Sequence, residues 1–189
     1  MKTMLYLASA SPRRRDLLTM LGLNFEICPA QIDETMDPSA PPAEEVERVA
    51  RRKAEAAEVP ADGVVIAADT IVVCQGQVLG KPADTDHARQ MLQLLSGRDH
   101  QVLTGIAVRR GRELKSHVET TLVHVRPIRE DELEAYLATG ESLDKAGAYG
   151  IQGRAGLFCS GISGDYYNVM GLPLCALGEL LRSFGVQVL

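Results

Sequence analysis

The chain has 189 residues, of which 46% are hydrophobic and 24% charged, and its formal net charge is −5. That length suits one domain, or one domain with two lobes, and is enough for a sizeable core. The acidic balance excludes a broad electrostatic grip on nucleic-acid polymers, though a local basic cluster for a small anion remains compatible with it. No segment approaches the ~20 apolar residues of a membrane span, so no membrane partner is expected. Cys28, Cys74, Cys159 and Cys175 lie far apart without a Cys-x-x-Cys pair, and His87, His100, His117 and His124 show no metal-ligand spacing. Structural zinc and a disulfide framework are therefore not expected; reduced thiols and a cytoplasmic location are. Ala8-Ser9-Ala10 mimics a signal-peptidase site, but the apolar stretch before it is shorter than a signal-peptide core.

In chain order, Met4 to Ala8 reads as a short buried strand. Ser11 reads as an N-cap and Pro12 as a first helical residue. Leu17, Leu18 and Leu21 continue at helical spacing until Gly22 ends the helix. Phe25 to Cys28 is a second short strand, followed by a polar loop carrying Asp33 and Glu34. A helix is expected from near Pro42 to about Ala57, then a β-branched run from Val64 to Cys74, a turn at Gln75-Gly76-Gln77, and a return over Val78 to Lys81. Asp84 or Thr85 caps a helix holding Met91, Leu92 and Leu95. Two long strands over His100–Arg109 and Leu114–Val125 form a hairpin at Arg110-Gly111. Arg129 to Ala138 is another helix. A glycine-rich loop spans Asp144 to Gly156, two short strands follow, and Leu172 to Phe184 makes a last amphipathic helix. Early strand–helix alternation with a hairpin midway predicts a mixed sheet in an α/β fold.

Several residues break the local pattern. Arg13, Arg14 and Arg15 crowd the positive end of a helix dipole, where backbone N–H groups and guanidinium groups together suit phosphate; a solvated basic turn is the plainer alternative. Asp69 sits in Val64-Val-Ile-Ala-Ala-Asp-Thr-Ile-Val-Val73, where every neighbour but Thr70 is apolar. A buried carboxylate there must be paired, protonated or metal-bound, and is a natural general base or metal ligand; a strand bulge would instead expose it. Lys53 falls on the apolar stripe of Val46, Val49, Ala50 and Ala57. It either snorkels to solvent or points toward phosphate. Pro82 holds Lys81 in an extended backbone close in sequence to the strand after Asp69. Glycines 147, 150 and 153 permit close backbone approach to a ligand without matching a P-loop or dinucleotide fingerprint. Gln152 between them carries an amide that can donate to and accept from a base edge.

Taken together, Ala8-Ser-Ala-Ser-Pro-Arg-Arg14, Ala67-Ala-Asp-Thr-Ile71, Gly80-Lys-Pro82, Asp144-Lys-Ala-Gly-Ala-Tyr-Gly-Ile-Gln-Gly153 and Gly171-Leu-Pro173 resemble the Maf family of nucleoside triphosphate pyrophosphatases. The motifs occur in order over essentially the whole chain. The resemblance implies one domain over residues 1–189: an elongated mixed β-sheet with flanking helices, two lobes around a cleft, as in the inosine triphosphate pyrophosphatases. It implies a homodimer that hydrolyses a nucleoside triphosphate to monophosphate and pyrophosphate with a divalent cation, Mg²⁺ or Mn²⁺, as nucleotide-pool housekeeping. By resemblance Asp69 is the proton acceptor, with Ser11, Arg13, Arg14, Glu34, Lys53 and Lys81 lining the phosphate and metal site. Glu34 and Asp69 are the metal carboxylates, and Arg13, Thr70 and Gln152 match positions tied to base choice. The Gly-Ile-Gln-Gly form resembles the dTTP/UTP subgroup rather than the one acting on 7-methyl-GTP. Whether Asp69 acts chiefly as base or as metal ligand stays open. The rival expectation is a nucleotide-sensing or partner-binding regulator of septum formation.

Overall fold

The computed structural model describes residues 3–189. Its strands are β1 (Leu5–Leu7), β2 (Phe25–Ile27), β3 (Val64–Cys74), β4 (Gln77–Leu79), β5 (Asp99–Arg110), β6 (Glu113–Val125) and β7 (Cys159–Ser163). Its helices are α1 (Pro12–Met20), α2 (Pro42–Ala56), α3 (Thr85–Leu95), α4 (Glu130–Leu137), α5 (Tyr166–Met170) and α6 (Leu174–Ser183). The seven strands form one mixed sheet in the order β2-β1-β3-β5-β6-β7, with β4 joined to β3 off that path. Contacts divide the chain into two compact units. The first holds residues up to Asp69, Thr104–Glu119 and Gly171–Leu189, the second Thr70–Leu103 and Thr120–Met170.

In the first unit β1 lies between two parallel neighbours, Leu5 pairing with Phe25 of β2 and with Val64 of β3. Leu5, Leu7 and Ala8 are buried, and the Ala8 N–H continues the ladder to the Ile66 carbonyl at 2.8 Å. Pro12 opens α1 as expected, but the Ser11 side chain makes no cap bond. Gly22, at φ +68°, takes the left-handed conformation that lets the chain leave α1 with Leu17 and Leu18 buried.

Helix α2 starts with Pro42 and carries Glu44 and Glu45 in its first turn, where the dipole favours acids. Its buried side holds Val46, Val49 and Lys53 together with small residues. Ala50, Ala54 and Ala57 pack with Ala8, Val65, Ala67 and Ala107. Gly105 of β5 completes the close approach: a Cβ there would lie 2.6 Å from the Val46 carbonyl oxygen and 3.0 Å from Glu47 Cα. Backbone meets backbone at this point, and that closeness brings the middle of α2 within side-chain reach of β3.

The second unit packs α3 and α4 around Val72, Leu79, Met91, Leu92, Leu95, Val123, Leu133, Tyr136 and Phe158. Asp84 caps α3 by accepting the His87 N–H at 2.8 Å. Buried His100 shares a 2.6 Å hydrogen bond with the Tyr149 hydroxyl, their rings edge to face. Burial pushes His100 down to about 4, so it is neutral at physiological pH, and pushes the Tyr149 hydroxyl up. Asp99, His124 and Ser163 form a cross-strand chain, with contacts of 2.8 Å and 3.1 Å to the two imidazole nitrogens. The Asp99 side chain is 56% exposed, unlike the buried carboxylate of a catalytic triad, and the chain ties β5 to β6 and β7.

Two details depart from the sequence reading. The glycine-rich loop contains short 3₁₀ turns at Ala146–Ala148 and Arg154–Phe158. Only one of the two short strands expected after it forms. Residues Tyr166–Met170 are helical instead, set by the Asp165 carboxylate accepting the Tyr167 N–H at 2.7 Å and by buried Asn168 donating to the Val102 carbonyl at 2.9 Å.

Gly105→Ala is expected to destabilise the protein by about 1–3 kcal/mol, the usual cost of overpacking a tight contact. Urea or thermal denaturation reads this directly, and an unchanged midpoint would mean that α2 and β5 do not meet backbone to backbone.

Candidate active site

Lys53 projects from the buried side of α2 with its side chain 10% exposed. Its ammonium donates to Asp69 Oδ1 at 2.8 Å and to Glu34 Oε2 at 2.9 Å. Lys53 is therefore held inside rather than snorkelling. Asp69 has its side chain 12% exposed, and burial at this level is tolerable only for a carboxylate that is paired. Glu34 is 55% exposed and closes the cluster from the solvent side.

The loop carrying Glu34 has no regular structure, yet arginines of α2 fasten it. Arg52 Nη1 donates to the Asp33 carbonyl at 2.9 Å, and Arg48 Nη2 to the Thr35 carbonyl at 2.8 Å. Arg48 also grips Glu45, whose Oε2 accepts the Asp37 N–H at 2.7 Å. Arg48 first, then that N–H, holds the Glu45 carboxyl down to about 2. The carbonyls on either side of Glu34 are thus anchored to the helix that supplies Lys53.

Arg14, in the first turn of α1, is 9% exposed. Its Nε donates to the Gly171 carbonyl at 2.8 Å and its Nη1 to Ser9 Oγ at 3.1 Å. Ser9 Oγ also accepts the Ser11 N–H at 3.2 Å. Burial lowers the Arg14 pKa, the Asp69 charge opposes that shift, Arg13 adds to it, and Glu34 opposes it. Arg14 thus lies in the electrostatic field of Asp69 and Glu34.

The first unit therefore brings together Glu34, Lys53 and Asp69 by contact and Arg14 through charge, with Ser11 linked to Arg14 through Ser9 and Arg13 next to Arg14 in the first turn of α1. Thr70, Lys81 and Gln152 belong to the second unit. Thr70 follows Asp69 in β3 and is half-buried. Lys81 is exposed just past β4, beside Gly80, whose carbonyl accepts the Gly147 N–H at 3.0 Å. Gln152 is exposed in a turn closed by the Gly153 N–H on the Gly150 carbonyl at 3.0 Å.

Sequence reasoning missed Ser9, the Gly171 carbonyl and the Arg48–Glu45 fastening. Ser9 stands in a quoted motif directly after a buried strand, which is a usable signal. A backbone carbonyl 157 positions from its arginine partner leaves none.

Among the described residues no group of three or more His, Cys, Asp or Glu side chains is placed to hold a metal. The two carboxylates that converge on Lys53 still suit a hard divalent cation, which commonly takes one or two carboxylates and completes its shell with water and substrate phosphate.

Removing Lys53 leaves the Asp69 charge buried without its ammonium. Lys53→Met is expected to cost about 1–3 kcal/mol of stability, and Asp69→Asn in the Lys53→Met background should recover part of it. A double-mutant cycle by urea denaturation should give a coupling of about 0.5–3 kcal/mol; additive single effects would show that the pair contributes nothing.

The family model described as Maf-like protein matches residues 4–184. The dTTP/UTP pyrophosphatase of Moorella thermoacetica is 55% identical over 188 residues, covering 97% of this chain and 96% of that protein. The dTTP/UTP pyrophosphatase of Symbiobacterium thermophilum is 52% identical over 97% of this chain and 95% of its own length. That of Yersinia pseudotuberculosis is 48% identical over 98% and 95%. Among solved structures, a HAM1 protein from Coxiella burnetii aligns at a TM-score of 0.45 and 17% identity, over 65% of this chain and 73% of that one; a likeness at that level carries no argument. A family model matching residues 4–184, together with relatives about half identical over nearly the whole chain, leaves one conclusion about kinship: the chain belongs to the Maf family.

Proposed function

We propose that this protein hydrolyses nucleoside triphosphates, dTTP and UTP ahead of the others, to the monophosphate and pyrophosphate. The observation that carries the reading is that relatives about half identical along nearly their whole length bear that activity in their names. The cluster of Lys53, Asp69 and Glu34 supports it, because a buried carboxylate beside fixed cations suits phosphoryl chemistry. The rival expectation, a nucleotide-sensing or partner-binding regulator of septum formation, draws no support from these relatives.

In this reading water attacks the α-phosphorus and pyrophosphate leaves. Asp69 takes the proton from the water or orients it, while Lys53 fixes the carboxylate and faces the phosphates with a positive charge. Arg13 and Lys81 offset charge on the triphosphate and on the departing pyrophosphate. Arg14 reaches the same field while fastening Ser9 and the Gly171 carbonyl. A divalent cation, Mg²⁺ or Mn²⁺, held by Glu34 and Asp69 when bound, supplies phosphate polarisation and a lowered pKa for bound water. Gln152 and Thr70 contact the base, and Gln152 meets the carbonyl and N–H edge of thymine or uracil. A cytoplasmic homodimer completes the proposal. No helix among the described residues is long and apolar enough to cross a membrane.

Purified protein with Mg²⁺ or Mn²⁺ should release pyrophosphate from dTTP and UTP with kcat/KM well above that for ATP and GTP. In ¹⁸O water the label should enter the monophosphate; label in pyrophosphate, or a diphosphate product, would overturn attack at the α-phosphorus. A wrong base leaves polar groups unpaired at about 1–3 kcal/mol each. A level profile over the eight common triphosphates would therefore remove the base assignment.

Asp69→Asn keeps the shape and an acceptor for Lys53 but removes the charge. It should abolish turnover while the protein still melts cooperatively, and near wild-type turnover would take Asp69 out of the mechanism.

A further inference from the structure

Gln152 is an exposed side chain in a loop with glycine at 150 and 153, and an unsupported amide in such a loop would sample many conformations. The structure supplies a support from one short segment, Glu141 to Lys145. Glu141 Oε2 accepts the Arg154 N–H at 3.1 Å. A Cβ added to Gly153 would fall on that same carboxylate oxygen. The Gly153 backbone, at φ −93° and ψ −160°, lies on the negative-φ side that L-residues adopt, so a side chain there would meet the carboxylate and not backbone strain, and the carboxylate would have to swing aside.

The other end of the turn rests on the same segment. A Cβ at Gly150 would lie 2.8 Å from Cδ and Cε of Lys145. Lys145 Nζ donates to the Glu141 carbonyl at 2.6 Å and to Asp144 Oδ1 at 2.6 Å. The segment is itself anchored, the Glu141 N–H donating to Thr139 Oγ1 at 3.1 Å and that hydroxyl to the Tyr136 carbonyl of α4 at 2.6 Å. The Arg154 side chain also approaches Glu141, at 3.7 Å, but an exposed pair of that length adds little.

We infer that Glu141 is a positioning residue for base selection, its carboxylate holding the Gly150–Gly153 turn that presents Gln152. This rests on the reading of Gln152 as a base contact. Glu141 touches no substrate; it keeps the amide in place before the base arrives, so that ordering is not left to the binding step.

The test compares kcat/KM for dTTP and ATP across variants of the full chain. Glu141→Ala should lower the dTTP-to-ATP ratio by about tenfold, with the loss on dTTP. Glu141→Gln keeps an acceptor for the Arg154 N–H and should retain the ratio. Gly153→Ala drives the carboxylate aside without backbone strain and should reproduce the loss. Adding it to Glu141→Ala should then cost nothing more, since the clash has gone. If Glu141→Ala fails to fold, Gly153→Ala against wild type decides alone. An unchanged ratio in Glu141→Ala or in Gly153→Ala, or additive effects in the pair, would overturn the inference. Gln152→Ala separates the two readings. If it erodes the preference while Glu141→Ala does not, only the positioning role fails; if it leaves the profile level with wild type, the base-contact reading fails and this one falls with it.

Discussion

One ammonium between two carboxylates is the constraint on which the first unit depends. Asp69 interrupts a strand whose other residues are nearly all apolar, and a carboxylate there would be several kcal/mol too costly without a partner. Lys53 answers it at 2.8 Å, and the same nitrogen reaches Glu34 at 2.9 Å. A lysine can do this from inside a helix only if helix and sheet lie close. The alanines of α2 and the bare backbone of Gly105 provide that closeness. Packing and charge are therefore one device here: the small residues matter because of where they let Lys53 reach.

The same economy governs the arginines. Three stand in sequence at the mouth of α1, where the dipole disfavours cations, yet their placements differ. Arg14 is buried and joins the segment around Ser9 to the Gly171 carbonyl, whereas Arg15 is exposed. Arg48 and Arg52, on α2, fasten the loop around Glu34 through its carbonyls. A guanidinium with five N–H donors can stitch irregular backbone in a way that an ammonium cannot. The one lysine of the cluster sits where a compact point charge is wanted.

The second unit poses a different problem, the seating of a glycine-rich loop. Its core of aliphatic and aromatic residues carries a loop whose glycines look at first like licence for flexibility. Glu141 and Lys145 reverse that impression. Gly150 and Gly153 each lie against a side chain from the Glu141–Lys145 segment, so this part of the loop is glycine-rich and seated at once. Tyr149, within this loop, is likewise tied to neutral His100.

Much of this was legible before any coordinates. Period and punctuation marked β1, α1, α2, β3 and the β5–β6 hairpin, since apolar spacing and Gly or Pro boundaries act over a few residues. Asp69 and Lys53 declared themselves as violations of their own local patterns. What the chain could not declare was who answers whom. That Lys53 faces Asp69 depends on how near α2 lies to the sheet, that Arg14 holds a carbonyl 157 positions away depends on chain closure, and that Glu141 fits Gly153 depends on the path of a loop. The second strand expected after the glycine loop failed for the same reason. Asp165 and Asn168 found hydrogen bonds in neighbouring strands that favour helix over Tyr166–Met170, against the local propensity. Sequence determined which residues were out of place in their own segment, because that is a local energy. Only the tertiary structure decided their partners, because pairing is settled by distances between segments that no local pattern encodes.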